Sequence, residues 1–154
     1  MELIPHLTKT IINSDWWSVP QIIYPNREKM NFQKSNSSLS PIEPYFTSKS
    51  IFITAPCVVS GGETEIGIID HYELGTTVGE PTAGCNGNAN WIILPNGFQI
   101  MWTGMKVLKH DGTQLYLIGY QPDYPVERTL QGIKDGKDEL LEKAIEVAKN
   151  KNAP

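Results

Sequence analysis

The stretch that most constrains the fold is Ile51-Phe-Ile-Thr-Ala-Pro-Cys-Val-Val-Ser60-Gly-Gly-Glu63. A short apolar run breaks at a lone serine. Two glycines follow, then an acid, then apolar residues at Ile66, Ile69 and Tyr72. The pattern predicts a buried strand over 51–57 that hands over to a helix over 61–74, with a hydroxyl at the corner and Gly75 placed to end the helix. A serine on the first turn faces unpaired N–H groups and the positive end of the helix dipole, which can hold a developing oxyanion. Two glycines let a substrate carbonyl approach the backbone. The same letters also spell an ordinary N-cap with an acid three residues on, the capping box. The local pattern leaves both readings open.

Size and charge narrow the partners. The 154 residues suffice for one domain, and a hydrophobic fraction of 40% with 19% charged residues fits a soluble globular protein. Thirteen Lys plus Arg against 17 Asp plus Glu give a net charge of −4 with no basic stripe, so no nucleic-acid partner is expected. No apolar run in this chain is long enough to span a membrane. The N-terminus, Met-Glu-Leu-Ile-Pro-His, lacks a signal-peptide pattern, so an exported parent would carry its signal outside this chain. Cys57 and Cys85 make neither a disulfide scaffold nor a zinc site, and His6, His71 and His110 are scattered, so no metal or cofactor is expected.

Along the chain, residues 1–12 read as a short helix with Leu3, Ile4, Leu7, Ile11 and Ile12 on one face. Residues 13–50 carry Trp16, Trp17, Pro20, Pro25, Pro41 and Pro44 and read as an extended arm that packs either on the rest of the domain or on a missing part. After the helix, 76–79 reads as a strand and 80–87 as a loop of turn formers. Asn90 to Leu94 and Phe98 to Trp102 form a hairpin around Pro95-Asn96-Gly97. Met105 to Leu108 and Gln114 to Ile118 read as strands, with turns at 110–112 and 119–123. A last helix, capped by Asp135 or Asp138, carries Leu141, Ala144, Ile145 and Ala148 on one face. The tail after it should fray.

Five motifs occur in a telling order: Ser60-Gly-Gly-Glu63, then Val78-Gly-Glu-Pro-Thr-Ala-Gly84, Leu94-Pro-Asn-Gly97, Asp111-Gly112 and Gly119-Tyr-Gln-Pro-Asp123. This order resembles the C-terminal processing, or tail-specific, serine peptidases, the family that includes the archaeal tricorn core protease. The run from Trp102 to Gly112, with Arg128-Thr129 and Gly136-Lys-Asp-Glu139, looks like a branch common in Bacteroidetes. The resemblance implies a mixed α/β fold of the ClpP/crotonase type built of stacked β-β-α units. It implies hydrolysis of peptide bonds in a polypeptide substrate, with Ser60 as nucleophile and the backbone around Gly61 as oxyanion donor. It further implies that 51–150 is the C-terminal half of a catalytic domain, beside the helix and arm read over 1–50 and the frayed tail at 151–154, and it implies work in the periplasm or cell envelope.

Some positions depart from the family pattern. The lysine base of the bacterial enzymes falls at Cys85. The tricorn-type glutamate falls at Tyr116, with Gln114 nearby. A histidine base of the tricorn manner would lie upstream, outside this chain. Each remaining candidate has a plainer reading beside the functional one. Glu63 is expected to stabilise the first helical turn and to point beside the site. Cys85 is a site-lining thiol, a disulfide partner of Cys57, or a small loop filler, the last being favoured. Gly84 and Gly87 serve tight turns. Asn86, Asn88 and Asn90 either bond a substrate backbone or serve turn chemistry. His110 reads as a solvated turn residue rather than a partner of Asp111. The four tryptophans read as packing anchors.

The leading expectation is therefore part of a serine endopeptidase, incomplete and inactive alone, with its base supplied from an upstream part. A non-catalytic binding module of the same fold, like the retinoid-binding repeats, is the alternative. An acyl-CoA enzyme of the crotonase group is a weaker one. A homo-oligomer formed through the arm is also conceivable.

Overall fold

The computed structural model describes residues 2–22 and 28–150. In chain order the strands of the arm are β1 (Ile12–Asn13), β2 (Trp16–Ile22), β3 (Met30–Ser35) and β4 (Ser38–Leu39). Then come β5 (Ile51–Thr54), α1 (Gly61–His71), β6 (Thr76–Gly79), β7 (Asn90–Ile93), β8 (Gln99–Trp102) and β9 (Lys106–Leu108). The chain continues through β10 (Tyr124–Pro125), α2 (Leu130–Lys134) and α3 (Glu139–Lys149).

The unit that positions the site is β5–α1–β6. β5 and β6 are parallel, with Ile53 opposite Val78, and α1 is the crossover that parallel pairing requires. β10 adds to the other edge of β6, also parallel. α1 buries Ile66, Ile68 and Ile69 against Ile4, Ile12, Val107 and Leu115. Each such isoleucine contributes roughly 1.5–3 kcal/mol over an exposed one. Val78 packs instead with Ala144 and Val147 of α3. α3 starts where Asp138 accepts the Leu141 amide at 3.0 Å, the cap read in the sequence.

The helix after Ser60 ends earlier than Gly75. Glu73 takes the left-handed conformation at φ 52°, and the Leu74 amide donates to the Ile69 carbonyl at 3.0 Å. Gly75 has a different duty: a Cβ there would lie 2.7 Å from the Ser50 carbonyl oxygen.

The N-terminal segment departs from its expected helix. Only Ile4–His6 is helical, a single 3-10 turn. Thr8 then diverts the chain, its hydroxyl accepting the Thr10 amide at 3.2 Å, a local bond that competes with helix continuation. The arm after it is knitted into the protein. β2 lies between β3 and β9 in an antiparallel sheet, and β1 pairs with β4. The 151–154 tail lies outside the described residues.

Two further expectations change. Gln114 to Ile118 is no strand. Gln114 makes one bridge to Leu108, and the Leu115 carbonyl then accepts the amides of Ile118 and Gly119, which closes a turn with Leu117 at φ 61°. The hairpin β7–β8 forms in the expected place, with Trp91 opposite Met101, yet both its faces are exposed. Of the tryptophans, Trp17 packs against the main core, whereas Trp16, Trp91 and Trp102 are about half exposed.

Candidate active site

Ser60 stands at the end of the β5 connection and caps α1. Its backbone is strained, with φ 52° and ψ −115°, a conformation that L-residues rarely adopt. Its side chain makes no capping hydrogen bond, and the residue is exposed. The capping-box reading is thereby corrected. In that motif the hydroxyl would accept a first-turn amide and Glu63 would reach back to the Ser60 amide. Here the Ser60 amide donates to the Cys85 carbonyl at 2.7 Å.

Glu63 faces away from that amide and into the protein. It is fully buried, at 0% exposure. Its Oε1 accepts the Thr82 hydroxyl at 2.7 Å and the Gly84 amide at 2.6 Å. Its Oε2 accepts the Cys85 amide at 2.7 Å. The expected role as a simple first-turn acid gives way to a clamp: the carboxylate fixes the 82–85 loop, and that loop fixes Ser60. An unpartnered buried carboxylate would cost several kcal/mol, and three good donors are what make the position tenable. Thr82 in turn accepts the Tyr120 amide at 2.8 Å.

The rest of the loop closes around the same point. Gly84, at φ +66°, gives its carbonyl to the Leu117 amide at 2.9 Å. A Cβ at Gly84 would sit 2.6 Å from that amide nitrogen, so glycine is needed for close approach as well as for its φ. The Asn86 side-chain amide donates to the Thr64 hydroxyl at 3.1 Å, one turn into α1. Gly61 lies beside Ser60 with no atom within 4 Å of where its Cβ would be, which leaves its side of the helix N-terminus open. Ser60, Gly61, Glu63, Gly84, Cys85 and Asn86 are thus brought together. Cys57 and Cys85 are both free and exposed, so the disulfide alternative is not realised.

Behind the site lies a second buried acid that the sequence reading missed. Asp15 is 0% exposed. Its Oδ2 accepts the Tyr120 hydroxyl, and its Oδ1 lies 2.6 Å from His110 Nδ1. The latter contact is short but poorly directed for a hydrogen bond. His110 Nε2 lies 2.9 Å from the Asn13 carbonyl, which can only accept, so Nε2 carries a proton. His71 stacks on the His110 ring at 3.9 Å between centroids. Burial pushes the Asp15 carboxyl above the ordinary aspartate range, although its Tyr120 and His110 contacts pull the other way. Burial and the bond to Asp15 push the Tyr120 phenol above its usual range. The expected solvated turn histidine is corrected: His110 ties the arm to the turn after β9, and its partner is Asp15, not Asp111. Nothing in the local sequence pairs positions 15 and 110. Thr82 was visible inside the Glu80-Pro-Thr-Ala-Gly84 motif but carried no chemical signature of its own.

Among the described residues no group of three histidine, cysteine or acidic side chains is placed to hold a metal. No helix among them is long and apolar enough to cross a membrane. The site offers an exposed hydroxyl on a strained corner, an open helix N-terminus and a loop locked by a buried carboxylate.

Comparison with known proteins bears on the fold and the family. The chain's mixed α/β fold is similar to that of a proposed peptidase from Parabacteroides merdae, with a TM-score of 0.77 at 21% identity, covering 96% of this chain and 46% of that one. It is similar to the photosystem II D1 C-terminal processing protease, with a TM-score of 0.55 at 16% identity over 97% of this chain and 34% of that one. It is also similar to the tricorn protease, with a TM-score of 0.55 at 19% identity over 74% of this chain and 11% of that one. The chain therefore spans less than half the length of each of these structures. No curated protein sequence matches it. The model of peptidase family S41 matches residues 7–126, and the chain belongs to that family.

Proposed function

We propose that this chain carries the nucleophile of a serine endopeptidase of the tail-specific type, acting on a polypeptide substrate. The observation that supports it most is the Ser60 corner: an exposed serine, unused as a helix cap, held at φ 52° beside Gly61, where the space a Cβ would take is open. Backbone strain of this kind is retained where the surrounding bonds enforce it, here the Cys85 and Glu63 contacts.

In the reaction, Ser60 Oγ bonds to the scissile carbonyl carbon as its proton passes to a base. The Gly61 N–H donates to the oxygen that becomes negative. The C–N bond then breaks, the amine takes the proton, and water releases the acyl group by the reverse sequence. Cys85, at the family's lysine position, is a thiol and no ready proton acceptor. We infer that the base comes from polypeptide beyond this chain, that the chain alone does not turn over peptides, and that the protein acts in the periplasm or cell envelope.

Fluorophosphonate labelling of the full-length protein, mapped by peptide mass spectrometry, tests the reading. Modification at Ser60 that disappears in Ser60→Ala is the expected result. No modification at Ser60 would favour the binding-module alternative, for which the exposed thiol at the base position is the specific observation.

A further inference from the structure

A cleft of about 760 Å3 opens beside the candidate site, between Asn86 and Tyr116. Its link to Ser60 runs through two bonded paths. Asn86 follows Cys85, whose carbonyl holds the Ser60 amide, and its side chain reaches the Thr64 hydroxyl on α1. On the other side, Tyr116 precedes Leu117, whose amide is held by the Gly84 carbonyl at 2.9 Å. Both walls are thus anchored to the loop that Glu63 clamps.

The lining sets what can enter. Buried Val107 and Leu115 give it an apolar base, half-buried Met105 adds an adaptable wall, and Tyr116 adds an aromatic one. Residues 81–105 contain no Asp, Glu, Lys or Arg. Among the described residues that line the cleft, Lys106 alone is charged. A cationic side chain would lose its hydration there and find no acid to pair with. The volume lies within the range of sites that take small-molecule or peptide groups.

The turn that presents Tyr116 is strained. Leu117 holds φ 61° and is 74% exposed, so no burial of its own side chain repays that conformation. What the strain achieves is the placement of Tyr116 on the cleft wall, with its carbonyl accepting the Gln114 side-chain amide at 2.7 Å.

We propose that this cleft receives a large uncharged apolar side chain of the polypeptide substrate, next to the bond that Ser60 attacks. The proposal rests on the peptidase reading for the word substrate, and on the cleft itself for the selectivity. It makes Asn86, Met105, Gln114 and Tyr116 specificity-determining residues.

The test uses N-acetyl tetrapeptide amides of the form Ala-Ala-Xaa-Ala, with phenylalanine, alanine, lysine or glutamate at Xaa. They are titrated by calorimetry against the 154-residue chain bearing Ser60→Ala, so that no turnover intervenes. Phenylalanine should bind roughly tenfold or more tightly than lysine or alanine. Adding Gln114→Trp, a change at an exposed position that fills the cleft, should erase that advantage while the circular dichroism stays native. Tyr116→Ala, at a residue 65% exposed, should reduce it several-fold and serves as the second variant. Equal affinities, tighter binding of lysine or glutamate, no binding of any of the four, or an unchanged advantage in both variants would overturn the proposal. Labelling keeps the two readings apart. A phenylalanine preference without fluorophosphonate modification at Ser60 in the full-length protein removes the peptidase and leaves the cleft. Modification at Ser60 without the preference does the reverse.

Discussion

Among the described residues two carboxylates are fully buried, and they are held in opposite ways. Glu63 is surrounded by neutral donors, the Gly84 and Cys85 amides and the Thr82 hydroxyl. Asp15 faces groups that can themselves titrate, His110 and Tyr120. Tyr120 joins the two: its amide backs Thr82 and its hydroxyl backs Asp15. Their jobs differ with their partners. Glu63 binds segments that meet at Ser60, so it shapes the site. Asp15 binds the arm to Tyr120 and to the turn after β9, so it holds the fold. It even needs the absence of a side chain at Gly67, where a Cβ would lie 2.7 Å from its Oδ2. A buried acid satisfied by backbone amides fixes geometry, whereas one satisfied by titratable side chains adds a dependence on pH.

The comparison breaks first at Asp15. Asp15→Ala leaves the buried His110 Nδ1 without the carboxylate that faces it and Tyr120 without its acceptor, and should cost about 3–5 kcal/mol of unfolding free energy. Urea denaturation measures the loss. Hydrogen exchange at Gly84 and Cys85 should remain slow in the folded fraction, because the Glu63 clamp is untouched. Glu63→Gln is the complementary change. Its amide turns an NH2 toward donors, orphaning at least one of Thr82, Gly84 or Cys85, at a cost of about 2–4 kcal/mol. Here the Gly84 and Cys85 amides should exchange fast and Ser60 labelling should fall steeply, even where the fold survives. If both variants lose amide protection equally, the division between a site clamp and a fold clamp is wrong.

That division was only half legible in the chain's letters. Ile51 to Glu63, the strand at 76–79 and the 90–102 hairpin stand out because periodicity and turn residues act over a few positions. The nearness of Ser60, Cys85 and Asn86 followed from the order of motifs. The Asp15–His110 pair could not be seen, since it joins remote segments and each residue looks ordinary beside its neighbours. Gln114 to Ile118 misled for a related reason: alternation suggests a strand, while one carbonyl, that of Leu115, gathers two amides and turns the chain. The acid at position 63 looked like a helix cap because the competing donors lie about twenty residues further on.

The titratable character of the Asp15 clamp gives a finer test. Its native carboxyl lies above the unfolded value of 3.8 because of burial. Below that value both states are protonated and the native advantage is fully present. As pH rises through the window between the two values, the unfolded chain releases a proton that the native protein keeps. Stability therefore falls with rising pH there, by at most about 1.4 kcal/mol per unit. Urea midpoints measured across that window should show the fall, and Asp15→Asn should flatten it. A slope that persists in Asp15→Asn would mean the proton resides elsewhere.

The smallest effect comes from a third carboxylate that repeats the chemistry of Glu63 at the protein surface. Glu139 accepts the Thr129 amide at 2.6 Å and the Thr129 hydroxyl at 2.8 Å, again a backbone donor and a threonine, but it is only half-buried and its partner Thr129 is exposed. Those bonds hold its carboxyl below the usual glutamate range. The sign is opposite to that of Asp15: the contribution is present above the unfolded value and is lost as pH falls through the native one. Solvent competes for both donors, so Glu139→Gln should move the thermal midpoint far less than Glu63→Gln does, and only above the glutamate range. Scanning the two variants side by side isolates burial, since the donor types are shared. Equal shifts would mean that the number of bonds, and not their exclusion from water, gives the Glu63 clamp its strength.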